Sequence, residues 1–248
     1  MNRTAILGRQ TVALASLWLG LAVTGLGDTP LPSRGGRVGW ARLMTPAGQS
    51  GIHSDQDPKL AKFIGEETSL NIDPGWHTVE PEDLAKLCAF PFVYVKDLAA
   101  ISSSRDLENM AEYLQRGGFV FVDPCVNGYS EGRRDAFVQR HAEWFARVIP
   151  GSVVRELPDG HDIYRCYFNV GVDDVYSPDM IRGGEPKHSH IGLLGVFQGD
   201  RVIAVISMSG LECGWPQTPG RAPGCMKMIV NAYVYAMTRC AASAPKFQ

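Results

Sequence analysis

From residue 38 onward, short unbroken apolar runs alternate with stretches in which apolar residues recur every three or four positions. The first pattern suits strands buried on both faces, the second suits helices that bury one stripe. "VGWARLM" from Val38 predicts a first strand. A helix is predicted next, from Leu60, Phe63, Ile64 and Glu67, with one polar lapse in its stripe, and then a short strand at "SLNI". "EPEDLAKLC" opens with a proline and two acids, a favourable first helical turn because the acids meet the positive end of the helix dipole. "PFVYV" predicts a central strand bounded by Pro91 and Lys96. Ser103 and Asp106 form a capping-box-like start for the best helix of the chain, whose stripe is Leu107, Met110, Ala111 and Leu114 and whose stop is Gly117. "FVFV" follows at once as another central strand.

This strand, helix, strand alternation predicts a right-handed parallel α/β unit. A further helix, "RRDAFVQRHAEWFARV", places Phe137, His141, Trp144 and Val148 on one face, which makes His141 a core histidine before a functional one. "IGLLGVF" and "RVIAVISM", joined at "QGD", read as a β-hairpin. The last helix runs from about Pro223 to Cys240. The expected architecture is therefore a parallel sheet with helices on both faces and an added hairpin near the C-terminus.

Composition changes this picture at one end only. Hydrophobic residues make up 45% of the 248 positions and charged ones 20%, ordinary for a folded chain and enough for one sizeable core. With 24 Lys+Arg against 26 Asp+Glu, the net charge of -2 offers no basic surface for phosphates, which argues against nucleic acid as a partner. No nucleotide-binding motif is present, and there is no internal repeat.

The N-terminus differs: Arg3 and Arg9 precede an uncharged apolar segment that ends before Asp28. Residues 1–27 read as a secretory signal or a retained membrane anchor, 28–37 as a Pro/Gly/Ser-rich linker, 38–241 as one α/β domain and 242–248 as a tail. An exported protein is expected, periplasmic or anchored to the inner membrane, touching the membrane only through that first segment. Six cysteines, Cys88, Cys125, Cys166, Cys213, Cys225 and Cys240, show no CxxC spacing, and sequence alone chooses none of their pairings. Cys88 and Cys240 fall on apolar helical faces and read as small buried hydrophobes.

Seven stretches in order, "FPFVYV", "MAEYLQRGGFVFVD", "ARVIP", "ELPDGHDIY", "DRVIAVIS", the Gly214-Trp215 pair and "VNAYVYAMTRC", resemble a bacterial family, domain-of-unknown-function family 4159. The resemblance spans most of residues 38–240. It implies a flavodoxin-like sheet of the class I glutamine amidotransferase kind, and an envelope protein often encoded beside MoxR-type ATPases and von Willebrand-type proteins. It implies no activity. Members often carry a second acid after the central strand, where this chain has Pro124.

In an open parallel sheet, ligands bind beyond the carboxyl ends of the strands. Asp123 and Cys125 stand at such an end. A thiol nucleophile of this fold needs a tight glycine-flanked elbow whose backbone N–H groups stabilise an oxyanion. Here Pro124 removes one N–H and no glycine lies close, so Cys125 reads as a disulfide partner or inert thiol before a nucleophile. The resemblance falls on His161, beside Asp162 in "PDGHDIY"; an acid/base role for His161 would require Asp123 or another distant acid to orient the ring. Glu212, Trp215, Asn231 and Asp162 are candidates for the rim of a ligand pocket, and Tyr235 lies i, i+4 from Asn231. "EPKHSH" puts Glu185, His188 and His190 within six residues, a spacing that suits a divalent metal and equally an exposed polar loop.

Three functions follow. The leading expectation is a non-catalytic envelope domain that binds a partner protein or small ligand at the carboxyl edge. The others are a hydrolase or amidotransferase-like enzyme using Asp123, His161 and Cys125, and a metal site at His188 and His190.

Overall fold

The tetrapeptides Phe92–Val95 and Phe119–Val122 carry no charged side chain and, apart from the Tyr94 hydroxyl, no polar one, so both are expected inside a sheet covered on two faces. All eight side chains are buried. The computed structural model describes residues 36–46, 54–125, 131–175, 181–182, 185–186, 192–215 and 223–240. Its elements are β1 (Val38–Leu43), α1 (Asp57–Glu67), β2 (Ile72–Val79), α2 (Leu84–Leu87), β3 (Phe92–Val95), α3 (Ser104–Gln115), β4 (Phe119–Val122), α4 (Glu131–Val148), β5 (Val153–Glu156), β6 (Ile181–Arg182), β7 (Glu185–Pro186), β8 (Leu193–Gln198), β9 (Arg201–Ser207) and α5 (Pro223–Tyr235).

Seven strands form one sheet in the order β2-β1-β3-β4-β9-β8-β5, and β6 pairs with β7 separately. Strands β2, β1, β3, β4 and β9 run parallel, whereas β8 is antiparallel to both β9 and β5. The mixed α/β architecture agrees with the sequence reading, and the hairpin is β8–β9. Helix α3 packs between α2 and α4, while α1 packs against α5. Right-handed crossovers put these two groups on opposite faces of the sheet.

Local chemistry explains the boundaries. Ser103 Oγ accepts the Asp106 N–H at 3.2 Å, the expected cap of α3, and Gly117 follows it at φ 101, a conformation that favours glycine. Met110, Tyr113 and Leu114 anchor α3, and the Tyr113 hydroxyl accepts the Phe119 N–H at 3.3 Å, fixing the entry into β4.

Two expectations need correction, and one strand is additional. The strand expected at "SLNI" begins only at Ile72 and continues to Val79. Its Pro74 is accommodated because β2 is an edge strand, where a missing N–H breaks no ladder, and a register shift opposite Val38–Trp40 absorbs the Pro-Gly pair. The helix expected from "EPEDLAKLC" is one turn, capped by the Asp83 carboxylate on the Lys86 N–H at 3.0 Å. Strand β5 was not anticipated, because "VVRE" is short and largely exposed at the other edge.

His141 is fully buried on α4. Its Nε2 accepts the Leu98 N–H at 3.1 Å and its Nδ1 donates to the Phe137 carbonyl at 2.8 Å, so the ring ties α4 to the segment after β3. His141→Ala is expected to destabilise by about 2–4 kcal/mol, the combined cost of a cavity and an unpaired amide, read from the urea midpoint at neutral pH.

Residues 1–35 lie outside the described residues, and the expected signal or anchor and most of the expected linker fall among them. No described helix is long and apolar enough to cross a membrane.

Candidate functional site

Arg42 is a cation in a run of buried apolar residues on β1, and Lys96 directly follows buried β3. Such groups enter a core only with partners, because an isolated buried charge is costly. The partners come from three other places. Asp57 opens α1, Asp123 follows β4, and Glu212 lies in a helical turn, Leu211–Gly214, after β9. All five charged side chains are at most 2% exposed.

Arg42 lies beside Tyr94 of β3 in the sheet, with its guanidinium 4.8 Å from the ring centre. The guanidinium engages both oxygens of Asp57, one of them at 2.7 Å, and reaches Glu212. The other oxygen of Glu212 pairs with Lys96, whose Nζ is also 3.4 Å from the Tyr94 hydroxyl. Glu212 thus bridges both cations. Asp123 accepts the Leu211 N–H on Oδ1 and the Glu212 N–H on Oδ2, each at 3.0 Å, while the Tyr94 hydroxyl donates to Oδ2 at 2.8 Å. Gly210, at φ 59, makes the left-handed turn that aims those two amides at the carboxylate.

Two cations therefore face three carboxylates in a buried setting. Burial pushes the carboxyls of Asp123 and Asp57 above their ordinary range, against the pull of Lys96 and Tyr94 on the first and Arg42 on the second. Burial likewise lowers the Lys96 ammonium to about 8, opposed by the charge of Asp123. The Tyr94 hydroxyl is raised well above its usual value by burial and by that same carboxylate.

Beside this network lie two thiols, Cys125 Sγ and Cys213 Sγ, 3.9 Å apart. Trp215 closes the turn by packing its ring on Tyr94 at 5.6 Å and Trp40 at 6.0 Å. Asp123, Cys125, Glu212 and Trp215 thus share one edge of the sheet, where β1, β3, β4 and β9 end. It is also where the chain turns from β2 on one side of β1 to β3 on the other, the position at which open α/β sheets form a crevice.

The other candidates lie elsewhere. His161 caps a short turn, Asp162–Tyr164, by accepting the Ile163 N–H on Nδ1 at 3.2 Å. Its ring packs 5.5 Å from Tyr235, which contacts Phe119 at the opposite end of β4 from Asp123. Burial pulls the imidazole below its ordinary value, with Asp162 opposing. Asn231 holds Phe168 with two hydrogen bonds of 2.8 Å, one to the amide and one to the carbonyl, and this anchors a loop. The side chains of Glu185, His188 and His190 lie outside the described residues, among which no group of three acids, histidines or cysteines is placed to hold a metal.

Sequence reasoning passed over Arg42, Asp57, Tyr94 and Lys96. The available signal was a charge inside one hydrophobic strand and another directly ending a second, since a cation there must meet buried carboxylates.

Fold and site together define an α/β protein whose parallel strands end on a closed, internally paired charge network. The chain belongs to the family described as Domain of unknown function (DUF4159), whose sequence profile matches residues 41–237. No curated protein matches it.

Proposed function

We propose that this chain is a non-catalytic binding domain of the cell envelope, with its partner surface at the carboxyl edge of the sheet. The observation that carries this reading is the burial of Asp123 with both its oxygens engaged. The side chain is fully buried and accepts the Leu211 and Glu212 amides and the Tyr94 hydroxyl, which makes the acid a clamp for the turn above it. A general base needs a free acceptor within reach of a substrate proton. The strand order supports a flavodoxin-like sheet, because the five parallel strands taken in chain order run 2-1-3-4-5.

A polar groove of about 510 Å³ between the first turns of α2 and α3 opens on this edge, lined by Glu82, Asp83, Leu84, Arg105 and Asn109. It offers both signs of charge to a partner. The reading of residues 1–27 as a signal or anchor supports an envelope location. The position of His161, beside Tyr235 and away from the bonds of Asp123, weighs against the hydrolase alternative.

The test joins two readouts on the full chain in its native envelope. A photo-crosslinking residue at exposed Arg105 is expected to yield a discrete adduct, and the same residue at Arg116, past the far end of α3, is expected to yield none. Purified protein is expected to show no hydrolysis of glutamine or of ester and amide substrates that Asp123→Asn abolishes. Asp123-dependent turnover, or crosslinking that ignores position, would overturn the proposal.

A further inference from the structure

We infer that Cys125 and Cys213 form a disulfide that straps the turn after β9 to the end of β4. The two sulfurs lie 3.9 Å apart, and both residues are only partly buried, so an oxidant can reach them. A bond needs about 2 Å between sulfurs, and the remaining gap is of a size that side-chain rotation closes.

The pair is held in place by the clamp beneath it. Asp123, two residues before Cys125, receives the amides of Leu211 and Glu212, and Glu212 directly precedes Cys213. The register of the turn on the strand is thus set by the carboxylate, and the thiols face each other as a consequence. Asp123 in this sense is a positioning residue for the bond.

The chemistry is thiol–disulfide exchange with a disulfide oxidant, either a protein oxidase or oxidised glutathione. The Cys125 thiolate, its proton lost to solvent, attacks one sulfur of the oxidant and releases the first oxidant thiolate. The Cys213 sulfur then attacks the Cys125 sulfur of the mixed disulfide, loses its proton and releases the second thiolate. The protein dithiol gives up two electrons and two protons, and the oxidant becomes two thiols. Burial pushes the Cys213 thiol up to about 12, with the Cys125 and Asp123 charges adding to the rise, so little thiolate is present at neutral pH and the second step relies on being intramolecular. The link spans 88 residues of chain, so it removes much of the freedom of the unfolded state.

The experiment equilibrates the full chain with oxidised glutathione, blocks free thiols, digests with trypsin without reduction and maps the linked peptides. The expected product joins Gly117–Arg133 to Val202–Arg221, and it persists in Cys225→Ser. The oxidised protein should melt about 10 °C above the reduced one, a difference that Cys125→Ala and Cys213→Ala each abolish. Asp123→Asn should slow closure of the mixed disulfide. Both thiols recovered free or separately glutathionylated, a bond from either to Cys225, or a bound metal ion keeping both reduced would each overturn the inference.

Discussion

Arg42→Met is expected to cost about 3–5 kcal/mol, enough to leave a marginal domain largely unfolded, because it strips the guanidinium from two buried carboxylates. Asp57 loses both contacts to the guanidinium, and Glu212 loses one of its two cations while keeping Lys96. Methionine fills much of the volume, so the loss is chiefly electrostatic.

The pH dependence distinguishes this from a packing defect. The Asp57 carboxyl is already raised in the folded state by burial, and Arg42 is what opposes the rise. Without Arg42 the folded pKa climbs further, while the unfolded carboxyl stays near its ordinary value of about 3.9. Between those two values the folded state binds more protons than the unfolded state. The slope of stability with pH is then negative: stability is recovered on acidification and lost as pH rises through the folded pKa. Urea midpoints of Arg42→Met should therefore increase as the pH is lowered from neutral toward the ordinary carboxyl value, more steeply than for the parent chain. A flat profile would mean that Asp57 reaches water in the variant.

Asp123→Ala is the second large effect, at about 3–4 kcal/mol, with a fall in Tm of about 10 °C. The amides of Leu211 and Glu212 lose their acceptor at once, and the Tyr94 hydroxyl loses its shorter bond while keeping the one of 3.2 Å to the backbone carbonyl of residue 123. Lys96 also loses a neighbouring charge. Asp123→Asn restores part of the loss, since its single carbonyl oxygen can still accept one amide, and its midpoint should fall between those of the parent and Ala chains. Hydrogen exchange adds a local test: the Leu211 and Glu212 amides should lose protection in Asp123→Ala before the amides of β3 do.

The central strands were legible because their physics is local to a few residues. "FVFV" and "PFVYV" admit no face that could tolerate water, and Ser103 with Gly117 brackets α3 by chemistry that acts within one turn. Strand β5 was not, since "VVRE" acquires its place from pairing with β8, forty residues later in the chain, and carries no alternation of its own.

The same distinction divides the site. Asp123 and Cys125 were visible as an acid and a thiol directly after a buried strand. Their neighbours Arg42, Asp57 and Lys96 come from β1, α1 and β3, and no short spacing joins them. Glu212 was named for a rim, yet its role as a bridge between two cations depends on the Gly210 turn that lays it over the strand ends. His161 shows the converse: its residue type suggested acid/base chemistry, and its ring instead caps a turn and packs on Tyr235.

The two margins of the sheet bear on how this protein meets others. On one side Pro74 removes a donor from β2 and a register shift kinks it; on the other, β5 is four residues long and turns Arg155 and Glu156 toward solvent. Neither border is a flat, long row of unpaired amides onto which a foreign strand could zip. Among the described residues these margins disfavour polymerisation edge to edge, and on the proposed reading a partner would be met at loops and helix ends, through side chains rather than through shared backbone.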